Sequence, residues 1–359
     1  MQSKFSLFIE DLQNISIQLG ARAEKFRNTS VFLTGCTGFV GRWLMESLLW
    51  CNQQAKLQLR VQVLTRSRRA FLTALPHLNG RSDLDVLEGD ILTLQTLPVA
   101  DFDYAVLAVN HRNSYTPDWA AHHCAVPVLG AEELFRMAGT CGCHSVLVLS
   151  SGAVYGVPAL CPDTSVFREE APSLTKKLQE PTLYGESKRF LELFAVALGQ
   201  RYGIRVPVAR CFTFCGAHLE LNGSNALASF MADLLCGRDI QVYGDGRPVR
   251  SYMYGSDMAV WLLTVLTEGE HGVPYNIGSQ HAVSILELAQ ICSRLTSPST
   301  GVNVHGGSTR SNAPTCYVPD TTKIRADLQV QEWVTLEEGL RTTLHWFLSR
   351  THNVCTRLA

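Results

Sequence analysis

Three absences narrow the reading before any motif does. The 359 residues carry a net charge of −1, so no excess of either sign advertises a nucleic-acid partner and no block of like charges marks a tail. No apolar run reaches membrane-spanning length, and the first 28 residues, which hold Glu10, Asp11 and Glu24, lack the basic-then-apolar opening of a secretory signal. The twelve cysteines include no CxxC pair and no repeat with histidine partners, Cys141 and Cys143 being the closest two. That disfavours a zinc site or a disulfide framework. We expect no bound metal, and cysteines that are mostly reduced core residues of a cytoplasmic protein.

What is present points to an ordinary globular protein. Hydrophobic residues make up 46% of the chain, enough for a sizeable core. Short β-rich runs ("VFLTG", "RVQVLTR", "DVLEGD", "YAVLAV", "SVLVLSS") alternate with longer helical patterns such as "RWLMESLLW". That alternation predicts an α/β fold, a Rossmann-type doubly wound parallel sheet with a smaller C-terminal substrate-binding part. The all-apolar "AVLAV" and "VLVL" fit strands buried on both faces. Past residue 210 the pattern loosens into glycine- and serine-rich loops. The expected organisation is a helical extension over residues 1–28, a dinucleotide-binding domain over 29–210, a mainly substrate-binding part over 211–349 with segments returning to the first domain, and a tail over 350–359. The extension reads as an amphipathic helix for packing or dimerisation. No internal repeat or low-complexity segment is visible.

The stretch Thr34-Gly35-Cys36-Thr37-Gly38-Phe39-Val40-Gly41 joins the first strand to the first long helix. A helix N-terminus offers unpaired N–H groups and a positive dipole end to a diphosphate, and glycines let backbone and ligand approach closely. Strand before and helix after is the context a dinucleotide fingerprint requires. At the end of the second strand an NAD-selecting site usually places an acidic residue on the ribose 2′-hydroxyl. Arg66 and Ser67 stand there instead, followed by Arg68 and Arg69, which favours NADP over NAD. Asp90 and Ile91, after "VLEG", are placed to meet the adenine ring.

The chemistry is expected in "VLVLSSGAVYG" and "YGESKRFLELF". Tyr184 and Lys188 are four residues apart, so a helix puts both side chains on one face. A phenol ordinarily keeps its proton to a pKa near 10, and a neighbouring ammonium with an oxidised nicotinamide lowers that barrier to proton exchange. Ser151, at the end of a buried strand, is placed to hydrogen-bond the same sugar oxygen while hydride leaves or joins its carbon.

With those segments in view, the chain resembles the extended short-chain dehydrogenase/reductases of the nucleotide-sugar epimerase/dehydratase group over residues 29 to 348. The likeness rests on "TGCTGFVG", "SSGAVYG", "YGESK", "RCFTFCG", "VYGDGRPVRSYMYGSD", "YNIGS" and "VPDTTKI". It implies that Tyr184 is the catalytic acid/base, that Lys188 also holds the nicotinamide ribose, and that Ser151 binds the reacting oxygen. It further implies that Arg250 and Arg310 grip the nucleotide diphosphate of a nucleoside-diphosphate sugar, that Tyr243 lies near its base, and that the chain pairs as a homodimer through the Tyr184 helix and the helix near residues 127 to 138.

The departures narrow the reaction. The family's 4,6-dehydratases carry an Asp-Glu pair directly after the catalytic threonine and its decarboxylases keep a glutamate, where this chain has Gly152 and Ala153. Elimination of water then lacks its acid and base. Pro127 and Thr213 stand where the family usually has asparagines, Thr213 being the position that helps hold the sugar diphosphate. The resemblance therefore implies a nucleotide-sugar epimerase working by hydride transfer at sugar C4. The alternatives are an NADPH-dependent 4-ketoreductase, a 4,6-dehydratase, disfavoured by Gly152 and Ala153, and a non-catalytic cofactor-binding scaffold, opposed by the retention of Ser151, Tyr184 and Lys188.

Overall fold

The computed structural model describes residues 5–109, 119–156, 166–171, 180–221, 225–306 and 316–350, without the side chains of 119–123 and 180–182. Six strands, β1 (Ser30–Leu33), β2 (Arg60–Thr65), β3 (Leu84–Glu88), β4 (Tyr104–Leu107), β5 (Ser145–Ser151) and β6 (Val208–Cys211), join the strand Pro274–Ile277 in one sheet. Its order is Pro274–Ile277, β6, β5, β4, β1, β2, β3, and every pairing is parallel. The five expected strands are β1 to β5. The last three residues of β4 and the first six of β5 are buried, as the all-apolar runs require of strands covered on both sides.

Three long helices cover the sheet, α2 (Phe39–Ala55) against one face and the pair α4 (Trp119–Cys141) and α5 (Glu180–Tyr202) against the other. Of the remaining helices, α1 is Ile9–Leu19, α3 is Arg68–Ala74, α6 is Ala226–Leu235 and α7 is Gly255–Glu268. The residues of α7 from Gly255 to Thr267 are all buried, which marks a helix inside a core rather than on it. The N-terminal helix α1 turns Leu12, Ile15 and Leu19 inward against α2 and α7, so its apolar face is used in packing. It also places Asp11 under Tyr254, whose phenol donates at 2.8 Å. Burial raises the Asp11 carboxyl to about 7.

Chain order runs outward from β1 to β3, then returns to β4 and runs outward the other way. A crevice opens at such a reversal, beyond the carboxyl ends of the strands. Beside it the chain builds a small three-stranded sheet from Val283–Ser284, Val249–Arg250 and Cys316–Tyr317. Val154, Tyr155, Phe167 and Phe212 form a separate apolar cluster there, with Tyr317 packed against it. Among the described residues no helix is long and apolar enough to cross a membrane. Ten cysteines lie among the described residues, and five of them are buried.

Candidate active site

A cavity of about 550 Å³ lies in the crevice, lined by Thr34, Gly35, Thr37, Arg66, Ser67, Asp90 and Ile91 among others. The turn after β1 explains its floor. Gly35 has φ +69°, and a Cβ on it would stand 2.3 Å from the Ala108 carbonyl oxygen. A Cβ on Gly41 would stand 2.5 Å from the Gly35 oxygen and 2.7 Å from Cys36 Cα. Both contacts are with backbone, so only glycine lets α2 sit this close to the turn. Gly38 precedes α2 with extended backbone and donates its N–H to the Gly35 carbonyl at 2.9 Å. Phe39, Val40 and Gly41 open α2, so their N–H groups belong to the set with no acceptor inside the helix. The Phe39 ring turns inward and stacks on Phe214, which leaves its backbone as its contribution.

The other cavity residues divide by how their polar groups are engaged. The Thr34 hydroxyl donates to the Val106 carbonyl at 3.0 Å and accepts the Ala108 N–H at 2.8 Å, tying β1 to β4. Asp90 accepts the Leu92 N–H at 2.9 Å and so caps the short helix Ile91–Thr96. Ile91 packs against Gly130 of α4. Ser67 caps α3 by accepting the Ala70 N–H. Arg68 is drawn to β3, its guanidinium donating to the Val86 carbonyl and its N–H to Glu88 Oε2, each at 2.8 Å. Arg66 stands exposed at the cavity lining.

On the reaction side, α5 brings Tyr184 and Lys188 together, the Lys188 Nζ lying 5.9 Å from the Tyr184 ring centre. Lys188 is 5% exposed. Its ammonium donates to the Leu149 carbonyl at 3.1 Å and the Val109 carbonyl at 3.3 Å, which anchors it between the ends of β5 and β4. Burial lowers its pKa to about 8, against the opposing pull of Cys211 and Glu192. Ser151 ends β5 and accepts the Ala153 N–H at 3.2 Å, capping the turn Gly152–Tyr155. That turn meets the start of α5 at Gly185, where a Cβ would lie 2.4 Å from the Ala153 oxygen. The glycine inside "YGESK" is thus what lets Tyr184 approach the serine turn.

Sequence reasoning missed Tyr317. It lies beside the serine turn: a Cβ on Gly152 would stand 2.6 Å from the Tyr317 oxygen and 2.8 Å from Phe212 Cζ. No periodicity marks a two-residue strand. A buried ion pair beneath the site was also missed. Arg210 on β6 donates to both carboxylate oxygens of Glu192 at 3.0 and 2.8 Å, and Glu192 also accepts from Ser150 at 2.5 Å. Arg210 reaches on to the Tyr155 phenol at 3.1 Å, which in turn donates to Asn276 Oδ1 at 2.7 Å. Burial pushes Tyr155 up to about 12. This network fixes β5, β6, α5 and Pro274–Ile277 to one another under Ser151.

The expected sugar-diphosphate residues are spread more widely. Arg250 lies opposite Tyr317 in the small sheet and donates to the Val249 carbonyl at 2.8 Å. Thr213 follows β6 at the bend, its carbonyl accepting the Met253 N–H at 3.0 Å. Tyr243 is 78% exposed and stacks on His305 at 5.3 Å, outside the cavity lining. Arg310 lies outside the described residues. Pro127 is buried within α4.

With this geometry in hand, comparison with known proteins is informative. The model of the NAD dependent epimerase/dehydratase family matches residues 31–278. UDP-glucuronic acid decarboxylase 1 of Arabidopsis thaliana is 25% identical over 324 residues, covering 90% of this chain and 71% of its own length. The protein of the same name from Xenopus tropicalis is 24% identical over 318 residues, 88% of this chain and 72% of its own. Among solved structures, a mutant UDP-glucuronic acid 4-epimerase from Bacillus cereus, in complex with UDP-4-deoxy-4-fluoro-glucuronic acid and NAD, superposes with a TM-score of 0.72 at 19% identity, covering 89% of this chain and 99% of that one. The dTDP-glucose 4,6-dehydratase of Bacillus anthracis in complex with NAD gives 0.71 at 19% identity, with coverage of 90% and 97%. At these identities the structures speak to the fold.

Proposed function

Because the chain belongs to the NAD-dependent epimerase/dehydratase family, we propose that it epimerises a nucleoside-diphosphate sugar by hydride transfer at sugar C4. The observation that carries this choice of reaction is the crowding at Gly152. No acidic side chain follows Ser151, and Tyr317 and Phe212 fill the space that one would enter. Elimination of water or of carbon dioxide has no carboxylate there to assist it, although the relatives in the comparison are decarboxylases and dehydratases stand among the structural neighbours.

The cavity fits a dinucleotide: a strand-turn-helix cradle that a Cβ at Gly35 or Gly41 would fill, at the reversal of strand order. The nicotinamide, when bound, supplies the hydride acceptor and donor. Tyr184 moves the proton at the sugar hydroxyl, Ser151 orients the same oxygen, and Lys188 holds the ribose while its charge favours proton release from Tyr184. Arg250, and Arg310 by resemblance, hold the substrate diphosphate, with Thr213 beside it and Tyr243 toward the base. Solved neighbours carry UDP-sugars and NAD. The exposed Arg66 favours NADP in this chain, and with it the second reading, an NADPH-dependent 4-ketoreductase.

A homodimer through α4 and α5 is part of the same reading, supported by the exposed Leu129, Phe190 and Leu193 on those helices. The free cysteines suit a reducing, cytoplasmic setting. Incubation of the purified chain with nucleotide hexoses, followed by mass spectrometry, tests the reaction. A product isomeric with the substrate and formed without added cofactor is the expected result. A gain of two hydrogens with consumption of NADPH selects the reductase, and loss of water or carbon dioxide overturns both readings.

A further inference from the structure

A row of polar side chains runs from the cavity to the N-terminal segment. Arg42, half-buried on α2, belongs to the cavity lining together with Arg66 and Ser67. Its Nη1 lies 2.9 Å from His218 Nδ1, and His218 Nε2 lies 2.6 Å from Ser6 Oγ. Ser6 in turn meets the fully buried Glu46 through its hydroxyl and, at 2.8 Å, through its N–H. Glu46 also accepts the Leu7 N–H at 3.0 Å and pairs with His77 at 2.9 Å. Against the cost of burial, the contacts with His77, Ser6 and Leu7 hold its carboxyl below the ordinary range, so it is ionised. The two ends of the row then fix its direction, because a guanidinium only donates and a carboxylate only accepts. His218 takes the Arg42 hydrogen on Nδ1 and carries its own on Nε2, and Ser6 accepts from Nε2 and donates to Glu46. Burial, and after it the Arg42 charge, lower the His218 pKa to about 3, in keeping with a neutral ring. Trp346 closes the row from outside, its ring 4.6 Å from that of His218 and its Nε1 donating to the Ser6 carbonyl at 2.9 Å.

The same face of α2 says where the guanidinium enters the cavity. Glu46 stands one turn after Arg42 and pairs with His77, just beyond the end of α3, so residues 42 and 46 are turned toward α3. Ala70, Phe71 and Ala74 of α3 accordingly share the cavity lining with Arg42. This helix begins directly after Arg66 and Ser67, at the end of β2, where a dinucleotide's ribose 2′ position belongs. We propose that Arg42 is a second cation for the 2′-phosphate of NADP, beside Arg66, and that His218 and Ser6 are positioning residues that hold it there. The inference rests on the NADP reading and deepens it. Two guanidiniums give a phosphate dianion charge-assisted hydrogen bonds that a bare ribose hydroxyl cannot repay. An arginine loses rotamer freedom when it is fixed on a ligand, and one already held by His218 loses less. The N-terminal segment thereby takes part in the choice of cofactor.

The test is Arg42→Ala in the full chain, read by titration with NADPH and with NADH while the fluorescence of the bound nicotinamide is followed. The Kd for NADPH should rise about tenfold and that for NADH by less than about twofold. If the truncation unfolds the chain, Arg42→Gln removes the charge while keeping an amide donor for His218, and the same split is expected. Ser6→Ala and His218→Asn, the latter a residue that also suits the φ of +66° at this position, should each raise the NADPH Kd by about twofold to fivefold. Neither should add more than ~1.5-fold in an Arg42→Ala background, because the group they act through is gone. An equal rise for the two cofactors would put Arg42 on the diphosphate and overturn the assignment, as would an unchanged NADPH Kd. Full additivity of Ser6→Ala with Arg42→Ala would remove the positioning role. A wild-type chain that holds NADH as tightly as NADPH removes the NADP reading itself, and this assignment with it. The ¹⁵N resonances of the His218 ring decide the row of hydrogen bonds without any cofactor: hydrogen on Nε2 and a shift on Ser6→Ala are expected, and hydrogen on Nδ1 or an unmoved signal overturns it.

Discussion

On the reading proposed above, the cofactor side of the cleft is built from segments that directly follow buried parallel strands: Gly35 after β1, Arg66 after β2, Asp90 after β3 and Ala108 after β4. The side proposed for the sugar draws Ser151, Tyr184, Thr213, Arg250 and Tyr317 from places up to 166 residues apart, with none but Ser151 at the end of a long strand. On the first side the parallel sheet sets the spacing. On the second, positions depend on side-chain contacts: Gly185 against Ala153, Tyr317 against Gly152, and the Arg210–Glu192 pair beneath. On that reading, reaction choice resides in the half that packing, rather than topology, holds together.

The largest expected effect separates the halves outright. Tyr184→Phe removes a phenolic oxygen from the sugar side and should lower turnover by about 10²–10⁴, the loss typical of a general acid/base. Cofactor retention, a property of the other side, should stay within about twofold of wild type in the same preparation. Loss of cofactor binding along with activity would show that the two halves are not separable in this way.

Gly152→Asp asks whether the sugar side is limited by chemistry or by space. If the missing carboxylate were the whole difference from a dehydratase, this substitution would be a first step toward one. The crowding by Tyr317 and Phe212 leads instead to overpacking, with a stability loss of about 1–3 kcal/mol and no dehydrated product. Thermal unfolding and mass spectrometry report both quantities. Unchanged stability would mean that the ring moves aside easily.

The same contrast governs how much was legible in the sequence. The strand, glycine turn and helix of the first unit form one contiguous stretch, so the turn that lines the cavity and the strands β1 to β5 could be read from residues 30 to 151. Tyr184 and Lys188 were legible because helical spacing places them together. Tyr317 was not, because its two-residue strand has no period and its partner Arg250 is 67 residues away. The Arg210–Glu192 pair was hidden for a related reason: charged residues usually face water, and only the packed structure shows this pair at 12% and 9% side-chain exposure.

Arg66→Ala sharpens the comparison on the cofactor side. The guanidinium lines the cavity from an exposed position, so its pull on a 2′-phosphate is partly screened by salt. Affinity for NADPH should fall about tenfold while that for NADH changes by less than about twofold. Equal changes for the two cofactors, or a wild-type preference for NADH, would remove the NADP assignment.

The effect that joins the halves belongs to Lys188, which sits between the ends of β4 and β5. Groups facing its ammonium are Cys211 from β6, Glu192 from its own helix and the Tyr184 ring. Burial lowers its pKa to about 8, whereas an unfolded lysine titrates near ~10.4. Below about 8 the folded chain carries a buried charge, and that penalty is fully present. Between about 8 and ~10.4 the unfolded chain holds a proton that the folded chain has released, so this group's contribution to stability rises with pH. Activity should move the opposite way, since the working form is the ammonium and it is lost as pH climbs through about 8. Comparing wild type with Lys188→Met isolates the residue from other groups that titrate in the alkaline range. The wild-type melting temperature, relative to that variant, should climb over the window in which wild-type kcat/KM declines. Parallel movement of the two would mean that the neutral amine is the working form, and Lys188 would then be a proton acceptor rather than a charged anchor.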